Sequence, residues 1–221
     1  MAPAASHGNP PALRTGRRLI LLDRPGAPQA VVRAGHLGLA RSDPDFDHLL
    51  LLNQILGGQF TSRLNTKLRE ERGFTYGVRS HFDYRRQPGP FSITTSVQAD
   101  KLPEALDDIH DELEGLTGGR APDQAELDNA RRALVEGQAR HYETPSALVN
   151  RCANLIVHGL PVDHEAGFAD RLNAIDVDSL AERARRRIHP DSLVAIVVAD
   201  GALVAENLKR LEWAPVERLD D

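Results

Sequence analysis

Gly57-Gly58-Gln59-Phe60-Thr61-Ser62-Arg63-Leu64 runs into Leu68-Arg69-Glu70-Glu71-Arg72-Gly73-Phe74-Thr75-Tyr76-Gly77, and the fold is read outward from this stretch. The paired glycines close an apolar run. Phe60 to Arg72 has helical spacing and stops at Gly73, where glycine accepts a left-handed backbone without Cβ strain. The period then changes to two, so that Tyr76, Val78, Ser80, Phe82 and Tyr84 share one face of a strand and His81 lies on the other. Arg69 therefore sits on a helix, and Tyr76 sits where the strand should begin. Taken alone, Arg69, Glu70, Glu71 and Arg72 are an ordinary exposed helix end, and Tyr76 is a strand residue packed on its neighbours. Ser62 and Arg63 read as the cap and pin of the loop before the helix.

Upstream, Arg18 to Asp23 and Gln29 to His36 read as strands around the turn Arg24-Pro25-Gly26-Ala27-Pro28, which predicts a hairpin. Ser42-Asp43-Pro44 opens a helix whose apolar run is Phe46 to Leu56. Downstream, Gly89 to Gln98 alternates Phe91, Ile93, Thr95 and Val97 with Ser92, Thr94 and Ser96, the pattern of a strand with one buried face. Helices follow. Leu102, Leu106, Ile109, Leu113 and Leu116 form one stripe among acidic residues. Pro122 to His141, a helix capped at Thr144-Pro145 and closed at Gly159-Leu160-Pro161, Asp163 to Asn173 and Asp176 to Ile188 come next. Ser192 to Ala199 is apolar enough for a central, buried strand, and Ala202 to Leu211 is a short last helix. The fold class is α+β, an antiparallel sheet of about five strands covered by helices, because antiparallel pairs accept short connections. Residues 1–16 read as a disordered leader, 17–212 as one module and 213–221 as an acidic tail.

Composition narrows the function. The chain has 221 residues and is 41% apolar, enough for a sizeable core, and its one cysteine, Cys152, excludes an internal disulfide. Net charge is -5, which gives no electrostatic reason to expect nucleic acid. The basic cluster Arg183-Ala184-Arg185-Arg186-Arg187 reads as the solvated C-terminal turn of a helix, where cations offset the macrodipole. The apolar run around Leu49 to Leu52 is too short to span a bilayer. Met1 to Gly16 has no basic start followed by an apolar run, so no secretory signal is visible and the expected location is cytoplasmic.

In joint order, the Asp23-to-Gln29 turn, the Leu56-Gly57-Gly58 and Ser62-Arg63-Leu64 block, Arg69 to Tyr76, the glycine-containing hairpin and Gly159-Leu160-Pro161 cover nearly the full length. The chain resembles the second, non-metal half of the pitrilysin/insulinase metallopeptidase family. In that family the metal half carries H-x-x-E-H on a helix, with two histidines on zinc and the glutamate activating its water. No such motif occurs here. The nearest register, from His48, places Leu51 and Leu52 where the glutamate and second histidine would stand, and no two of the remaining histidines are spaced i, i+4.

The resemblance implies that Arg69 and Tyr76 reach toward a peptide: Arg69 with a planar fork of donors, Tyr76 with a phenol hydrogen for a carbonyl oxygen gaining charge. It also implies a partner, a module or subunit bearing H-x-x-E-H and zinc, while no metal or cofactor is expected in this chain. The leading expectation is a non-catalytic, substrate-binding subunit of a two-module zinc metalloendopeptidase, inactive alone and able to pair with itself when its partner is absent. The competing one is a structural or assembly subunit with no peptidase role. A third expectation is the C-terminal part of a longer protein, against which Met1 and the leader speak without deciding the matter.

Overall fold

A computed structural model describes residues 12–13, 15–138 and 142–219. The leader expected over 1–16 falls largely outside them. The described residues form one sheet with helices packed on one face. The strands are β1 (Arg18–Asp23), β2 (Gln29–Leu37), β3 (Val78–Phe82), β4 (Pro90–Gln98), β5 (Val194–Ala199) and β6 (Val216–Leu219), in the spatial order β3-β4-β2-β5-β1-β6. The helices are α1 (Phe46–Asn53), α2 (Arg63–Asn65), α3 (Leu102–Thr117), α4 (Gln124–Gln138), α5 (Pro145–His158), α6 (Phe168–Asn173), α7 (Val177–Arg187) and α8 (Gly201–Leu208).

The α+β class stands, with corrections to the sheet. It has six strands rather than about five, and it is mixed: β1 pairs in parallel with both β5 and β6. The predicted β1–β2 hairpin does not form. β5 lies between the two strands, with Leu21 opposite Val197 on one side and Val32 opposite Val197 on the other. A short turn permits a hairpin but does not compel one, and the apolar strand from the far end of the chain takes the central place instead. β5 is central as expected but buried on one face only, since Ile196 is 39% exposed. The expected acidic tail contributes β6, next to Trp213, which packs against the core.

Along every strand from β1 to β5 the inward residues are buried. These include Leu19 and Leu21, Ala30, Val32 and Ala34, Val78 and Phe82, Phe91, Ile93 and Val97, and Ala195 and Val197. They meet the α3 stripe of Leu102, Leu106, Ile109, Leu113 and Leu116 and the α1 residues Leu49, Leu51 and Leu52. The opposite face, carrying Val31, Arg33, Arg79, His81, Thr94 and Ile196, is exposed. No helix covers it among the described residues.

Charged pairs fasten the helices to one another. Asp45, buried before α1, receives Arg183 Nε and Arg187 Nε, each at 2.7 Å, and Asp43 receives Arg187 Nη2 at 3.0 Å. This corrects the reading of the 183–187 cluster as merely solvated: two of its four arginines clamp α7 onto the start of α1. Thr144 caps α5 by accepting from Ala147 N and Gly159 ends it at φ 66°, as the sequence predicts, and Asp176 caps α7 by accepting from Ser179 N. No described helix is long and apolar enough to cross a membrane.

Candidate functional site

The helix predicted over Phe60 to Arg72 is built in two parts. Regular α-helix spans only Arg63–Asn65, and Thr66–Glu71 continues as a π-helix. The end of α1 behaves alike, with Gln54–Gly58 π-helical. Such widened turns cluster at functional sites. Here they flank a cleft of about 590 Å³ at the β3 edge of the sheet.

Arg69 and Tyr76 both line this cleft. The Arg69 guanidinium lies over the Phe60 ring at 4.3 Å and its Nε is 3.5 Å from Glu70, while its side chain keeps 37% of its surface exposed. Stacking on a ring positions a guanidinium while leaving its in-plane donors free for a ligand. Tyr76 is 93% exposed and precedes β3, which begins at Val78. It is therefore not the first residue of a packed strand face, as the alternation predicts, but the tip of a turn aimed at solvent.

That turn is fixed from beneath. Gly73, at φ 65°, ends the π-helix, and Phe74 N donates to Leu68 O at 2.9 Å. Thr75 Oγ1 accepts from Gly77 N at 3.1 Å and donates to Gly77 O at 2.9 Å, and Thr95 Oγ1 on β4 reaches Thr75 Oγ1 and Gly77 O, each at 3.0 Å. Beside it, buried Asn65 donates to Val78 O at 2.9 Å and accepts from Val78 N at 3.1 Å, and also donates to Gln59 O and Ser62 Oγ. Asn65 thus occupies the outer edge of β3, where an added strand would otherwise pair. Gly57 closes the edge one step further on, since a Cβ there would lie 2.7 Å from Ser80 N. Val78 to Ser80 therefore offers no free edge on this side for a further strand.

Ser62 stands at the start of α2, but its hydroxyl meets Asn65 rather than a helix N–H. Arg63 is a pin, forked onto Glu126 at 2.6 Å and bonded to Arg120 O at 2.6 Å. His81, on the strand face opposite Val78 and Phe82, is exposed. Arg72 is not part of an ordinary exposed end: it makes two bonds, of 3.0 and 3.1 Å, to buried Asp108 on α3. Sequence reading missed Phe60, Asn65, Thr75 and Thr95. The one available signal was Asn65, a polar residue between Leu64 and Leu68 on the buried side of the helix.

The position nearest to a metal motif is unsuited to one. His48 is half-buried, and Leu49, Leu51 and Leu52 after it are core residues at 0–1% exposure. Among the described residues, His110, Asp111 and Glu114 bring possible ligand atoms within 4.8 Å of one another. The Arg17 guanidinium stands 3.2 Å from His110 Nε2, and Trp213 stacks on the ring at 4.9 Å, so a cation there would meet a fixed positive charge.

An open sheet backed by helices, with an arginine and a tyrosine at its edge and no H-x-x-E-H, has the form of the non-metal half of a zinc peptidase. The profile of the peptidase M16 inactive domain matches residues 3–134, and the chain belongs to that family, the pitrilysin/insulinase group. An uncharacterized zinc protease of Streptomyces coelicolor is 30% identical over 67% of this chain and 32% of its own length. A second, from Bacillus subtilis, is 24% identical over 78% of this chain and 42% of its own. The crystal structure of a peptidase M16 inactive domain from Pseudomonas fluorescens superposes with a TM-score of 0.80 at 27% identity, covering 89% of this chain and 46% of that one. The chain thus spans less than half the length of these relatives.

Proposed function

We propose that this chain is the substrate-positioning, non-catalytic half of a two-module zinc endopeptidase, and that Arg69 and Tyr76 are its working residues. The observation that carries the reading is their convergence on one cleft: a ring-stacked guanidinium with free donors and a phenol 93% exposed on a hydrogen-bonded turn. Arg69 holds a peptide carbonyl or carboxylate through its fork. Tyr76 donates to the carbonyl oxygen that gains negative charge when the peptide bond is attacked, a contact stronger in the transition state than in the ground state. The metal and the general base belong to the other module, because His48 and the leucines after it cannot supply them. The exposed sheet face, with Val31 and Ile196 partly apolar, is the surface such a module would cover.

The alternative, an assembly subunit without peptidase role, needs the same exposed face but no free donors in the cleft. Co-expression with a metallopeptidase module bearing H-x-x-E-H tests the two. The expected result is a stable complex that cleaves peptides while each half alone does not. A complex whose turnover is unchanged when Arg69 and Tyr76 are both replaced by alanine favours the assembly role.

A further inference from the structure

Behind the Gly57-Gly58 turn lies a second cavity, of about 760 Å³, between α1, the loop after β3, and α5. Gly57, Gly58 and Arg79 line both it and the Arg69–Tyr76 cleft, so the two are immediate neighbours. On its wall Tyr84 Oη, Arg151 Nε and His158 Nδ1 are buried without a protein partner. The first two are donors, and His158 Nδ1 can be one.

Positive charge is also in excess. Arg151 pairs with Glu165 and Arg171 with Asp47, whereas Arg41, only 8% exposed, has no carboxylate within ion-pair distance among the described residues. Arg41 lies 3.6 Å over the Phe46 ring and 3.3 Å from His164 Nε2. Asp83, the one acid among the lining residues, is taken by Arg85. Burial drives the Arg41 pKa down and that of Tyr84 up, and burial followed by the charges of Arg41 and Arg86 lowers that of His158. A buried guanidinium whose neighbouring carboxylates, Glu165 and Asp47, are paired with other arginines, beside hydroxyl and N–H donors with no acceptor, is costly unless a ligand supplies both an anion and an acceptor.

We infer that this cavity is a carboxylate-binding subsite for the peptide, with Arg41 as the charge partner and Tyr84 and Arg151 as donors. The inference rests on the peptide-binding reading of the neighbouring cleft. It makes the substrate class a peptide bearing a carboxylate a short distance from the bond held at Tyr76, either an acidic side chain or the chain's own C-terminus.

The test uses the full chain, isotopically labelled, and short blocked alanine peptides read by NMR shifts of the Arg41 and His158 side-chain signals. One pair carries Glu or Gln in the middle with both ends blocked. The other carries Gln with a free or amidated C-terminus. At least one carboxylate peptide should bind about tenfold more tightly than its amide twin, and which pair responds identifies the source of the carboxylate. Tyr84→Phe removes a hydroxyl that the fold does not use, so it should leave the melting temperature unchanged and cut the preference about fivefold. Arg41→Gln should abolish it. Equal binding within both pairs, no binding at millimolar peptide, or a preference untouched by Tyr84→Phe overturns the subsite. Arg69→Ala should weaken all four peptides alike. If it weakens none while the preference persists, the clamp reading falls and the subsite stands.

Discussion

Asn65 presents its carboxamide to Val78 as a neighbouring strand would, donating to the carbonyl at 2.9 Å and accepting from the N–H at 3.1 Å. One side chain thereby completes a buried length of β3 and holds the floor under Tyr76. Asn65→Ala leaves two buried backbone groups unpaired and should cost about 2–4 kcal/mol in urea denaturation. Asn65→Asp keeps the acceptor for Val78 N but turns a charge toward the carbonyl oxygens of Gln59 and Val78, so it should recover little of the loss. A change under about 0.5 kcal/mol for alanine would show that other groups or water replace the pairing.

Glycines separate by what surrounds them. Gly57→Ala drives a methyl group to 2.7 Å from Ser80 N, whereas Gly137, within α4, has open space around the same position. Gly57→Ala should therefore destabilise by about 1–3 kcal/mol, and Gly137→Ala should stabilise by up to about 1 kcal/mol. Thermal unfolding of the two variants checks both signs. Equal shifts would mean that the turn at Gly57 relaxes freely.

His36 is buried beside Phe91, and its Nε2 accepts from His189 N at 3.2 Å. Burial is the main cause that lowers its pKa to about 4. An unfolded histidine near 6.5 binds protons that the folded one refuses, so this contribution is complete above pH 6.5 and is lost as the pH falls toward 4. Across that window it amounts to about 3 kcal/mol. His36→Gln should be less stable than the parent at pH 7 yet lose less on acidification. Parallel pH profiles would exclude the buried neutral imidazole.

Asp45 extends the acid sensitivity to lower pH. Burial raises its carboxyl pKa, but hydrogen bonds from Arg187 and Arg183 outweigh this and leave it below the ordinary range. Its stabilisation is present above the ordinary carboxylate pKa and disappears as the pH falls through the lowered one. Asp45→Asn at pH 7 should cost about 3 kcal/mol, because it leaves two arginines facing a neutral group. Below the lowered pKa the variant and the parent should converge, and a gap that persists there would place the effect in packing.

Period and caps made most elements legible: the stripe of α3, α5 with its Thr144 cap and Gly159 stop, the span of α7, the alternation of β4, and β5 as a central strand. Pairing was not legible where it is non-local. The turn at Pro25 to Pro28 reads as a hairpin because nothing within residues 18–37 reveals that a strand starting at Val194 will separate the two. The same limit hid the second layer of the site. Thr95 looks like one more inward strand residue, and only the fold brings its hydroxyl to Thr75 and Gly77. Arg69 and Tyr76 came from a resemblance. Physical pattern alone ranked Arg72 beside Arg69, and the bonds to Asp108 now separate them.

That separation sets the design of the kinetic test of Arg69 and Tyr76 in a reconstituted two-module enzyme. Arg72→Ala is unsuitable as a neutral comparison, because it strips the pairing from buried Asp108. Lys67→Ala removes the same charge from the same helical stretch and loses only an exposed pair with Glu71, worth under about 1 kcal/mol. Tyr76→Phe keeps the ring and loses the donor, so turnover should fall about a hundredfold or more while the Michaelis constant moves little. Arg69→Ala should raise the Michaelis constant as well as slow turnover, and Arg69→Lys should rescue poorly because an ammonium cannot reproduce the fork stacked on Phe60. Neither change touches a buried group, so unfolding curves should overlay the parent. Near-parental kinetics for both Tyr76→Phe and Arg69→Ala, with Lys67→Ala also neutral, would remove the peptide clamp and leave the assembly role as the better account of this module.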